Sequence, residues 1–133
     1  MKGNPWFRIG HLKILDHLIL GLAALGLEKE DPHHVSGRVE ISPASSWTHL
    51  KEELTEGRTN GAFLPAPMAM DLFNKGLDIR LLMFVHRAGS LIVKHTHQDI
   101  KTISDFKGRT LLVPSRLSIQ TMLIDRMLSA AGL

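Results

Sequence analysis

The chain has 133 residues with no cysteine, and 16 Lys and Arg set against 13 Asp and Glu give a formal charge of +3. That length supports one hydrophobic core without covalent staples, and the missing cysteine excludes disulfides, thiolate metal sites and cysteine nucleophiles. The basic residues are scattered among acidic ones rather than gathered on a stripe with interleaved aromatics, which argues against a nucleic-acid partner.

The pattern alternates from the start. Residues 7–12 read as a strand and 14–27 as an apolar helix. Asp16 and His17 interrupt that run, which falls short of the ~20 clean apolar residues a membrane span needs. Met1 to Trp6 lacks the apolar core of a signal peptide, so an exported protein would have lost its leader. Residues 39–42 are a second strand and 47–56 a second helix, with Ser45 and Ser46 placed to cap it. Residues 61–64 are a third strand leading into a helix over 68–75. Pro67 is preset for its first turn, and Gly76 suits the position just past its end. Strands alternating with helices predict parallel pairing by right-handed crossovers, hence an open α/β sheet covered by helices.

Residues 79–85 read as the next strand, the run HRAG at 86–89 breaks the pattern, and 90–94 is a further extended segment with no helix between. The string TISDF at 102–106 suggests a short helix capped by Thr102, with Asp105 at its favourable first turn. Residues 110–113 are another buried strand, and 115–133 hold a cap followed by an amphipathic helix with Ile119, Met122, Leu123, Met127 and Ala130 on one face.

Chemistry concentrates at four strand ends. Asp16 and His17 are adjacent on a helix and point apart, so they make a poor catalytic pair. Ser46 is first a cap and second a ligand contact, and Trp47 is either a core staple or a wall residue. The Leu64, Pro65, Ala66, Pro67 turn opens a helix N-terminus at a strand's carboxyl end, where small molecules bind in open α/β sheets. In PSRLSIQ at 114–120, Ser115 and Ser118 offer hydroxyls and Arg116 a fork of donors beside unpaired helical amides, a combination suited to an oxyanion. The eight histidines include the pairs His33/His34 and His95/His97, but two nitrogens without a third ligand do not make a metal site, and no cofactor fingerprint is present.

The strings GAFLPAPMAMDLFNKGLDIRLL, GSLIVK and SDFKGRTLLVPSRLSIQTMLIDRMLSAAGL, together with RIGHL at 8–12, carry a resemblance over nearly the whole chain. They resemble the nitrate/sulfonate/taurine-type (NMT1/THI5-like) solute-binding proteins of ABC transporters. The resemblance implies a type II periplasmic-binding-protein fold, with a first α/β lobe over 1–87 and the hinge and an incomplete second lobe over 88–133. It implies a small anion or organic solute as ligand, an ABC permease as membrane partner, no cofactor, and a periplasmic or cell-surface location. By the same resemblance the ligand wall comprises Leu12, Ser46, Trp47, Leu64, Pro65, Ala66 and Pro67, the hinge passes near His86 and Ser90, and the anion-facing turn is Pro114, Ser115, Arg116 and Ser118. An enzyme of the same fold, of the menaquinone-pathway or thiamine-pyrimidine type, is the alternative, with His11, His17 and His86 as its acid or base candidates. Members of the family are usually much longer, so the chain is expected to correspond to the front part, and exposed sheet edges are expected to lead to a homodimer or a swapped dimer.

Overall fold

A computed structural model describes residues 7–30, 39–85 and 89–133, the side chains of 27–30 excepted. Three parallel strands, β1 (Phe7–Leu12), β2 (Val39–Ala44) and β3 (Gly61–Ala62), form a sheet of order β2-β1-β3. A 3₁₀ turn (Leu15–His17) and helix α1 (Leu18–Glu30) follow β1, α2 (Trp47–Thr55) follows β2, and α3 (Ala66–Asn74) follows β3. A second 3₁₀ turn (Ile103–Phe106) and α4 (Ile119–Ala130) lie further along. The protein is thus α/β, an open three-stranded parallel sheet flanked by helices. The expected βαβαβα order is present.

Backbone chemistry explains the register. Ile9 lies opposite Ile41 on one side and Gly61 on the other, and the pairing with β2 runs on to Leu12 beside Ala44. Phe63 N–H donates to the Gly10 carbonyl at 3.0 Å, carrying the β1–β3 ladder one step past β3. Upstream, Asn60 N–H donates to Arg8 O at 3.1 Å while its Oδ1 accepts from Arg8 N–H at 2.6 Å. β2 extends two residues beyond the expected Ser42 and includes Pro43, which an edge strand tolerates because the missing N–H can face away from the ladder.

The core sits where α2 lies on β1. Leu50 is fully buried, and Leu12 and Ala44 join it, with Trp47, Ala62 and Leu64 packed against them. Gly10 makes this approach possible: a Cβ there would stand 2.5 Å from Leu50 Cδ1 and 3.4 Å from Thr59 Cγ2. Close packing of this kind leaves no room for a methyl group unless Leu50 moves.

Several expected elements differ. The helix expected over 14–27 divides into the 3₁₀ turn and α1, and the one expected over 115–133 begins only at Ile119 because Ser118 caps it, accepting from Thr121 N–H at 3.2 Å. The third strand shortens to Gly61–Ala62 as the chain turns into α3 at Pro65. The segments 79–85, 90–94 and 110–113 form no strand ladder among the described residues. Apolar β-forming composition makes a strand only when another backbone supplies its hydrogen bonds.

The chain divides into two compact units, one of 1–64 with 77–86 and another of 65–76 with 87–133. The first holds the sheet, α1 and α2; the second holds α3 and α4.

Candidate functional site

The sheet order sets the place to look. From β1 the chain passes to β2 on one side, and from β2 it crosses to β3 on the other, so the topological switch point lies between β1 and β3. In open α/β sheets ligands gather outside the carboxyl ends of the strands at such a point. Leu12 ends β1 there, and Phe63 and Leu64 follow β3.

The 3₁₀ turn after β1 delivers His17 to this end of the sheet. Its side chain is buried, 7% exposed, in a cluster of rings: 5.2 Å from Phe63, 5.7 Å and edge-on to Trp47, and 6.2 Å from His11. The buried Leu12 N–H donates to His17 Nδ1 at 2.9 Å, and the Leu12 carbonyl lies 3.1 Å from the same nitrogen. His11 Nδ1 contacts the Leu12 carbonyl at 2.8 Å as donor. The end of β1 is therefore held by two imidazoles, and their neighbours are aromatic. Trp47 and Phe63 are half-buried, so part of each ring stays open to solvent at this end of the sheet.

Beside it, the start of α2 carries a polar row. Ser46 Oγ accepts from His49 N–H at 3.1 Å as the N-cap, and His49 Nδ1 in turn accepts from Ser45 N–H at 3.3 Å and touches Ser45 Oγ at 3.2 Å. The imidazole thus takes up the amide of Ser45, one residue ahead of the N-cap, while Ser46 caps the helix itself. His49 Nε2 lies 3.6 Å from Glu53 Oε1 one turn on, just beyond hydrogen-bond distance.

Of the residues expected to line a ligand wall, Leu12, Trp47 and Leu64 belong to the core of the first unit or pack on it, and Ser46 caps α2. Trp47 packs on the core, as the staple reading expects, and its ring meets His17. The turn at Pro65, Ala66 and Pro67 opens α3 in the second unit, with Pro67 buried. The Met68 amide there donates to the Pro65 carbonyl at 3.0 Å, and Pro67 has no N–H, so this helix start has few donors for an anion.

At the start of α4 the hydroxyls have local partners. Ser115 Oγ accepts from Leu117 N–H at 3.2 Å, and Ser118, buried, meets Thr121 Oγ1 at 3.0 Å, while Thr121 Oγ1 donates to Ser115 O at 2.6 Å. Arg116 and Pro114 are exposed, as is Ser90. His86, like His33 and His34, lies outside the described residues. His95 and His97 do stack, 4.9 Å apart, but no group of three metal-ligating side chains forms among the described residues.

In the sequence Phe63 reads as part of a buried strand, and His17 as an acid or base candidate whose orienting group the sequence does not reveal. Neither spacing nor residue type announces that a 3₁₀ turn folds His17 back onto the end of β1.

Asp105, in the second unit, is held below the usual carboxylate range because its Oδ2 accepts from the backbone amides of Lys101 at 2.9 Å and Thr102 at 2.7 Å, and from the Thr102 hydroxyl at 3.0 Å.

No protein family, curated protein or solved structure matches the chain. Among the described residues no helix is long and apolar enough to cross a membrane.

Proposed function

We propose that the protein captures a small anion or organic solute for an ABC importer, as a type II periplasmic-binding-protein fold working at the cell surface or in the periplasm with a membrane permease as partner. The observation that carries this reading is the sheet order β2-β1-β3, which brings His17, Trp47 and Phe63 together at the switch point. The sequence resemblance supplies the solute class, and the ring cluster suits a solute with a flat or weakly polar face. Capture needs no chemistry, only contacts that favour the bound state.

The test uses the two tryptophans, Trp6 and Trp47. In a Trp6→Phe variant the emission of Trp47 alone should change saturably with one of nitrate, bicarbonate, taurine or an aminopyrimidine, with a matching calorimetric heat. Flat titrations with all four overturn this assignment of solute class and site.

A second reading, an enzyme on the same fold, draws on Ser45 just ahead of α2 and His49 and Glu53 within it, which put an imidazole nitrogen on a hydroxyl and a carboxylate behind the ring. Labelling of the protein by a fluorophosphonate that Ser45→Ala abolishes would favour it, and absence of labelling removes it.

A further inference from the structure

We propose that the outward face of α1 is the docking surface for a second copy of this chain, the two helices packing antiparallel about a two-fold axis beside Leu20. The run LILGLAALGL at 18–27 contains no charged residue and no hydrogen-bonding side chain. Yet Leu20 is its one buried leucine among the described side chains, with Ala24 half-buried one turn later. Leu18, Ile19, Leu22 and Leu25 are 54%, 46%, 60% and 58% exposed, and Leu15, in the preceding turn, 81%. A helix on the surface of a soluble domain turns polar residues outward, and one that is apolar all round is covered. α1 therefore has two apolar stripes, of which the fold uses one.

The exposed stripe is built to meet itself. Leu15, Leu18, Leu22 and Leu25 follow spacings of three, four and three, the rhythm of a helix-pairing seam. That series reads the same in both directions. A reversed copy sets Leu15 against Leu25 and Leu18 against Leu22, which is the self-complementarity a two-fold interface demands. Gly21 lies on the same stripe, and a Cβ there would meet nothing within 4 Å, so the helix backbones can approach closely. A lipid surface is the other cover for an apolar helix, but interfacial helices set a basic polar face beside the apolar one, and 18–27 carries no Lys or Arg.

Area sets the strength. Five Leu and Ile side chains about half or more exposed remove on the order of 300 to 400 Å² per copy, against roughly 800 Å² per partner in a standard interface. The expected dimer is accordingly one that dissociates on dilution, with Kd in the micromolar range.

Sedimentation equilibrium of the whole chain tests this. The expected result is a mass moving from 14.8 kDa toward twice that value as concentration rises through the micromolar range. In a Leu18→Glu/Leu22→Glu variant, which changes only outward side chains, association should weaken at least about tenfold with the circular dichroism unchanged. Because the chain has no cysteine, orientation can be read directly. An equimolar mixture of Leu18→Cys and Leu22→Cys chains should oxidise mainly to the mixed disulfide. A constant single-chain mass, an unaltered dimer in the Glu variant, equal yields of the three disulfides, or binding to phosphatidylcholine/phosphatidylglycerol vesicles without dimerisation would each overturn the proposal.

Discussion

His17 shows how much can rest on a single ring. Its Nδ1 occupies the Leu12 amide at the buried end of β1, and its faces meet Trp47 and Phe63. His17→Phe keeps the volume and the ring packing but strands that amide, and an unsatisfied buried donor costs about 1 to 3 kcal/mol. Urea denaturation should report that loss, and an unchanged midpoint would mean that ring packing alone holds the turn. Asp105 makes a separate, pH-dependent contribution. Its folded pKa lies below the ordinary 3.8, so the stabilisation is fully present above the unfolded value and disappears as pH falls through the lower, folded one. Acid titration followed by carboxyl NMR should find Asp105 protonating below the ordinary carboxylate value. In Asp105→Asn the second unit should lose part of its pH dependence near the bottom of the carboxylate range.

At the scale of elements, the contact between α2 and β1 depends on one absent side chain and one present one. Leu50 occupies space that a Cβ on Gly10 would need. Leu50→Ala should cost about 2 to 5 kcal/mol through a buried cavity. Gly10→Ala should be destabilising in the wild type but nearly harmless in the Leu50→Ala background, because the smaller side chain vacates the methyl's position. A thermodynamic cycle over the four proteins should give a coupling of about 1 kcal/mol or more, and simple additivity would show that Leu50 does not press on Gly10. The same contrast between local and distant causes explains which elements were legible. The caps Ser46 and Ser118 are read from residue type because a hydroxyl serves amides within its own turn. The helix end at Gly76 is likewise local, with Gly76 at φ 91° just past α3. The segments 79–85, 90–94 and 110–113 were not legible, since their apolar pattern says only that they could pair.

For the molecule as a whole, capture of an anion makes a claim on Arg116, exposed in the turn before α4. Arg116→Ala should weaken binding of the anionic solute by about 1.5 to 3 kcal/mol, the range of a charged hydrogen bond, with the fold unaffected. Calorimetry with nitrate, bicarbonate and taurine measures this, and an unchanged Kd removes Arg116 as an anion contact. The ring cluster in the first unit and the Arg116 turn in the second are separate tests, so either can fail alone.

Alternation of apolar runs with helical ones was enough, unaided, to establish an α/β chain with parallel strands, and the hydroxyls before Trp47 were enough to mark where α2 starts. These features depend on interactions within a few residues, which sequence records directly. Only the folded chain decided that β1 lies between β2 and β3, that His17 and Phe63 meet at the switch point, and that the hydroxyls of Ser115 and Ser118 are engaged by neighbouring groups. Those outcomes turn on which backbone amide finds which carbonyl across tens of residues, and no periodicity along the chain encodes that choice.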